Sequence, residues 1–231
     1  MPIILLSCLF PLLRMILYSY FRSSCSWRVR LALNILKIPH QIRPVNLLKN
    51  EQRSPAYLAI NPLGTVPALE LNDGLVLWQS LAIIDYLDSA QILLPTDSIE
   101  RARCWQITNT ICSEIQPLQN LAVGKLITEL AGEGKSKEWS VYHNLTKLRI
   151  IEHNLIKDNL FCVGNKVTLA DICMVPQLYS AKRFGIDIEK EFPKMMKIAK
   201  KLEIMDNFVD AHPHSQADCP ADIQALGTRF Q

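Results

Sequence analysis

Every strand-like run in this chain lies before Pro95; beyond it the apolar residues recur with helical spacing or with none. Met15–Tyr20 is apolar and short, and reads as a strand. Ser26–Leu36 places Val29, Ala32, Leu33 and Leu36 on one helical face and stops before Pro39. His40–Val45 reads as a strand, and Gln52–Ile60 as a short helix ended by Asn61-Pro62. Ala68–Leu71 and Leu75–Trp78 flank Asn72-Asp73-Gly74, a tight hairpin signal. Ser80–Leu87 reads as a helix with Ser80 as its N-cap. The order β-α-β-α-β-β-α predicts a parallel pair joined to a hairpin, a small sheet with helices on its faces.

From Ile99 onward helices alone are expected. Glu100–Leu130 is periodic but interrupted by Pro117. A turn over Gly132–Lys137 leads into a second long helix, Glu138–Lys157. Thr168-Leu169-Ala170-Asp171 has capping-box form before an apolar run, which makes Asp171 structural. Lys194–Val209 is amphipathic, and the tail from His212, with Pro213 and Pro220, has no period. These patterns predict an α/β domain over 15–94, a linker over 95–98 and an all-helical domain with an irregular tail over 99–231. Residues 1–14 form an apolar extension outside the core fold. They lack the basic start and clear cleavage site of a secretory signal. A bilayer span of roughly 20 residues would consume the first strand. Membrane contact through 1–14 is therefore not favoured.

Composition narrows the function classes. The 231 residues are 49% hydrophobic and 20% charged, the profile of a folded protein, and the net charge of +3 comes without a block of like charge. Nucleic acid is not an expected partner. The seven cysteines form no C-x-x-C pair and no zinc spacing. Reduced thiols in the cytoplasm are expected, most of them acting as small buried apolar residues. His212-Pro213-His214 with Cys219 is poorly spaced for a metal, and none is expected.

The most chemical stretch is Ser23-Ser24-Cys25-Ser26-Trp27-Arg28. Hydroxyls and a thiol stand where a strand ends and a helix begins, a place with unpaired N–H groups and partial positive charge. It suits an anion such as a thiolate. A free thiol has a pKa of about 8.5, and lowering it by ~2 units takes roughly 2.7 kcal/mol. A helix N-terminus supplies about 0.3–1 kcal/mol, whereas a hydrogen bond to a charged acceptor supplies about 1.5–3 kcal/mol. A hydroxyl donor is therefore required. The plain alternative is an N-cap beside a buried cysteine. Cys25 has no histidine near it in sequence to activate it as a nucleophile.

This layout resembles that of the glutathione transferases, over about Met15 to Pro220. The run Ser-Ser-Cys-Ser-Trp-Arg-Val-Arg, Ser23 to Arg30, resembles the signature of the zeta class. Asn61-Pro62, Val66-Pro67, Gln79-Ser80-Leu81-Ala82-Ile83-Ile84, Gln116-Pro117-Leu118-Gln119-Asn120-Leu121 and Val175-Pro176-Gln177 follow in the same order. The resemblance implies a thioredoxin-like first domain, glutathione as cofactor and a homodimer. It makes Ser23 the thiolate's donor, with Ser24 and Cys25 supporting it, and places Ser26, Trp27 and Arg28 in the cofactor-binding run. Arg28 is otherwise a structural ion-pair partner.

Further roles follow from the same resemblance. Pro67 would follow a cis bond and present the Val66 backbone to the tripeptide; a trans proline opening an edge strand is the ordinary alternative. Gln79 and Ser80 would hold a carboxylate at a helix start, and Gln52 the other end of the tripeptide. Gln116, Asn120, Leu121 and Ala122 would lie near the cofactor. Arg183 would hold the carboxylate of a small acidic substrate; a solvated surface arginine is the alternative. Trp78 either narrows the groove or packs. The implied reaction is glutathione-dependent cis–trans isomerisation of maleylacetoacetate to fumarylacetoacetate, in tyrosine and phenylalanine catabolism. Transfer to α-halo acids and a non-catalytic scaffold are the alternatives.

Overall fold

The computed structural model describes residues 15–228; the extension expected over 1–14, and the membrane contact weighed for it, lie outside the described residues. The first part of the chain runs β1 (Met15–Ser19), α1 (Ser24–Ile35), β2 (His40–Pro44), α2 (Pro55–Leu58), β3 (Ala68–Glu70), β4 (Val76–Trp78) and α3 (Ser80–Leu87). The strands form one mixed sheet in the order β2-β1-β3-β4. β1 lies parallel to β2, with Met15 opposite His40, while β3 runs antiparallel to both β1 and β4. This is the expected thioredoxin-like arrangement.

Helices follow: α4 (Ser98–Asn109), α5 (Leu121–Ala131), α6 (Lys135–Asn154), α7 (Leu169–Arg183), α8 (Ile188–Glu191), α9 (Pro193–Leu202), α10 (Asp206–Ala211) and α11 (Ala221–Gln224). Between α4 and α5 the chain winds through a π-helical turn, Thr110–Ile115, and a 3₁₀ turn, Gln116–Gln119. One hydrophobic cluster joins both parts, from Leu17, Val29, Leu69 and Ile83 to Ile111, Leu148, Leu178 and Phe192.

Several expectations shift for identifiable reasons. α1 is buried from Ser26 to Leu33 rather than on one face, because it packs against α3 on the sheet side and against α7 and α10 of the helical part. The helix expected over Gln52–Ile60 divides into a 3₁₀ turn at Glu51–Arg53 and α2. Pro55 cannot donate a backbone hydrogen bond, so a new start forms with Ser54 Oγ accepting from Tyr57 N at 3.2 Å. The helix expected over Lys194–Val209 becomes α9 and α10, the second turning to lie against α1.

The described part of the tail holds a 3₁₀ turn, Pro213–Ser215, and α11, and packs back on the first part of the chain. Phe21 N donates to Asp218 at 2.8 Å, and Cys219 is buried with Tyr18, Tyr20 and Tyr57. At the start of α7 the capping box forms: Thr168 N and Cys162 N each donate to the Asp171 carboxylate at 2.8 Å.

Candidate active site

β1 ends at Ser19 and α1 begins at Ser24, so Ser23 is the cap residue. Its backbone is extended, and its Oγ accepts from Ser26 N at 3.2 Å. The acceptor role leaves the hydroxyl hydrogen free to donate outward. Ser23 stands where two cavities meet, one of about 400 Å³ and one of about 510 Å³. Leu47, Gln116, Asn120 and Leu121 also line both.

The smaller cavity is a cleft walled by Cys25, Gln52, Val66, Pro67, Gln79, Ser80, Cys112 and Ala122. The Val66–Pro67 bond is cis. Buried Asn61 holds the turn before it, its amide donating to Thr65 O at 2.8 Å and its carbonyl accepting from Leu63 N at 3.1 Å. Gly64 has φ +59°, and a Cβ there would meet Gln52 O at 2.9 Å; glycine lets the 51–53 turn approach the cleft wall.

Gln79 has φ +72°, a conformation that disfavours a side chain. Gln79, rather than Ser80, is the residue before α3; this corrects the capping role expected of Ser80. The turn at Gln79 makes Ser80 the first helical residue and points its hydroxyl inward, where it accepts from Arg28 Nη1 at 3.4 Å. No side chain caps α3, so its first N–H groups stay open to an anion. Among the described residues Gln52 Oε1 is buried without a partner, an acceptor waiting for a donor. A carboxylate site, an unused acceptor and a hydroxyl donor fit a peptide that carries a thiol.

The larger cavity is lined by Tyr20, Arg22, Ser24, Lys125, Arg183 and Phe184. Among the described residues, neither Arg22 nor Arg183 forms an ion pair. Desolvation by the cavity wall, then repulsion from Arg22, lowers the Arg183 pKa from its ordinary value. Three basic residues, Arg22, Lys125 and Arg183, against one carboxylate, Glu129, line this space, a balance that suits an acidic ligand. Arg22 is not among the residues expected from the sequence; its place directly before Ser23 is the local signal for it. Cys112 is likewise outside the expected set, and no local signal marks it.

Ser26, Trp27 and Arg28 line neither cavity. Ser26 is buried with its hydroxyl unpartnered. Trp27 is 1% exposed and packs edge-on against Tyr179 and His212. Arg28 lies beneath the cleft, its Nη1 3.8 Å from Cys25 Sγ. Arg28 has no carboxylate partner among the described residues, which corrects the ion-pair alternative. Trp78 is exposed and lines neither cavity. Burial pushes the Cys25 thiol up, only partly opposed by Arg28, so Cys25 stays protonated at neutral pH.

Two family models match the chain, the glutathione S-transferase N-terminal domain over residues 22–90 and the C-terminal domain over residues 131–203. The "Probable maleylacetoacetate isomerase 2" of Drosophila melanogaster is 44% identical over 90% of this chain and 92% of the fly protein. The maleylacetoacetate isomerase of Mus musculus is 40% identical over 90% of this chain and 97% of its own. Among solved structures, the maleylacetoacetate isomerase of Anaeromyxobacter dehalogenans, with glutathione in its active site, superposes with a TM-score of 0.81. It is 37% identical and the match covers 90% of this chain and 99% of that one.

Proposed function

The chain belongs to the zeta class of glutathione transferases, and from that premise we propose that it is an enzyme catalysing glutathione-dependent cis–trans isomerisation of maleylacetoacetate to fumarylacetoacetate. The observation that carries this reading is Ser23 at the junction of a peptide-shaped cleft and a cationic cavity. When bound, glutathione supplies a thiolate that adds reversibly to the conjugated double bond, so the bond can rotate before the sulfur leaves.

The protein's part is binding, orientation and charge. The Ser23 hydroxyl, at the positive end of α1, donates to the thiolate and favours it over the thiol. The α3 start and Gln79 receive a carboxylate, and Gln52 and the Val66 backbone hold the rest of the peptide. Arg183, with Arg22 beside it, anchors a substrate carboxylate and sets the reacting carbon near the sulfur. Ser24, in the cavity wall, and Cys25, in the cleft wall, support Ser23. Gln116, Asn120, Leu121 and Ala122 close the other side. Neutral Cys25 suits an auxiliary rather than a nucleophile.

The linker expected over 95–98 is read here as ending at Asp97, which caps α4, so that Ser98 already belongs to the helix. Cytoplasmic location accords with six free cysteines among the described residues. Homodimer formation accords with exposed Leu75, Trp78 and Tyr86 on the β4–α3 side. Purified protein should isomerise a maleyl substrate only with glutathione present. Equal turnover without it would overturn the assignment, and preference for a haloacid would move it to the transferase alternative.

A further inference from the structure

Three sulfurs and one buried cation meet behind the cleft. Cys112 sits in the π-helical turn and lines the cleft, half-buried. Its Sγ lies 3.6 Å from Sγ of Cys173 on α7, which is fully buried. Arg28 is 1% exposed, and its Nε and Nη2 have no hydrogen-bond partner among the described residues. The groups that could offset its charge are sulfurs, Cys25, Cys112 and Cys173, and burial holds Cys25 and Cys173 as neutral thiols. A buried cation without a counter-charge costs several kcal/mol, so its surroundings favour an anion. From the geometry, we infer that Cys112 and Cys173 form a dithiol pair that glutathione disulfide oxidises through the cleft, with Cys112 as the entry sulfur. The inference rests on the cleft being a glutathione site.

The chemistry balances within these components. The Cys112 thiol gives its proton to solvent, and its thiolate attacks one sulfur of glutathione disulfide. That S–S bond breaks, one glutathione leaves with the electron pair, and the other remains as a mixed disulfide on Cys112. Cys173 loses its proton to a leaving thiolate and attacks Cys112 Sγ. The mixed bond breaks and the second glutathione departs. One glutathione disulfide and two protein thiols become two glutathiones and one protein disulfide.

Cys112 is the sulfur suited to begin. It is the one of the pair that faces the cleft, and its hydrogen bond with Cys173, then the Arg28 cation, lower its pKa against the effect of burial. Cys25 shares the cleft, but burial holds it as a thiol. Cys173 is held far on the thiol side by burial, then by Cys112, which suits a resolving partner that acts only once Cys112 has lost its charge.

The test equilibrates reduced full-length protein with glutathione buffers of rising disulfide fraction, then traps thiols by alkylation and maps peptides by mass spectrometry. The expected product is a Cys112–Cys173 cross-link, reversed by excess glutathione. Cys173→Ala should stop at a glutathione adduct on Cys112, with isomerase turnover reduced at least tenfold because the adduct fills the cleft. The wild-type map decides the matter even if that variant folds poorly. Glutathione binding to the reduced protein is read separately by calorimetry. A Cys25–Cys112 disulfide, or no cross-link while glutathione still binds, overturns the pair and leaves the isomerase reading standing. Failure to bind glutathione overturns both.

Discussion

Arg28 and Arg30 stand two residues apart on α1, and each is 1% exposed, yet their surroundings are opposite. Arg30 donates to Ala211 O at 3.0 Å, Ser19 Oγ at 3.0 Å, Phe21 O at 2.9 Å and Tyr20 O at 3.4 Å. Burial still pulls its pKa down to about 9, with Asp218 opposing. It ties the strand end and the returning tail to one helix. Arg28 meets one hydroxyl and sulfur, with two of its nitrogens unpartnered. Burying a charge is tolerable when donors find oxygen acceptors and costly when they do not. One face of α1 therefore holds the fold together, while the other keeps positive charge in reserve under the cleft.

The largest expected effect tests that contrast directly. Arg30→Met leaves several buried acceptors without a donor and should cost about 3–5 kcal/mol. Thermal unfolding should fall by roughly 10 °C, at ~2–4 °C per kcal/mol for a chain of this size. Arg28→Met removes few hydrogen bonds and should lower the melting temperature far less. It should instead raise the pH at which Cys112 is alkylated, since its thiolate loses a cation. Equal melting losses in the two variants would erase the distinction.

Next in size is Ser23→Ala. Losing a hydrogen bond to a charged sulfur, about 1.5–3 kcal/mol, should cut turnover by roughly 10–150-fold. The far-ultraviolet circular dichroism should persist, because the lost cap costs only ~1 kcal/mol. Unchanged turnover would remove Ser23 from the chemistry. Arg183→Ala should follow, raising the substrate KM about tenfold, ~1.4 kcal/mol, with a smaller change in kcat. A fall in kcat alone would argue against its anchoring a carboxylate.

The smallest effect concerns acid stability on the Arg30 side. Burial first, then His214 and Arg30, pulls the His212 pKa down to about 3. Its Nδ1 accepts from His214 N at 3.1 Å, which requires the neutral ring. An unfolded histidine titrates near 6.5. Between those values the unfolded chain takes up a proton that the folded one refuses. The His212 contribution is therefore complete above about pH 6.5 and is lost as pH falls toward 3. Melting temperatures of His212→Gln should vary less over that window than those of the parent; identical slopes would exclude His212.

Local features were the legible ones. The hairpin at Asn72-Asp73-Gly74 and the capping box at Thr168 each depend on a few adjacent residues, and each forms where expected. The helix expected over Gln52–Ile60 is divided by one proline with a capping serine before it, both of them visible in the sequence. Ser80 is the first helical residue instead of the cap because Gln79 adopts a positive φ, a conformation that a non-glycine side chain gives no local sign of. Trp27 sits inside the chemical run yet faces Tyr179 and His212, contacts set by α7 and the tail.

By itself the sequence determined the order of strands and helices, the serine at the first helix start and the family. These depend on hydrogen-bonding choices made within a few residues and on apolar spacing along one element. Tertiary structure alone decided that Arg22 and Arg183 face one cavity, that Cys112 meets Cys173 and that Arg28 is buried with no carboxylate beside it among the described residues. Those outcomes depend on how α1, the π-helical turn and α7 pack together, and close packing joins residues whose separation along the chain carries no sign of it.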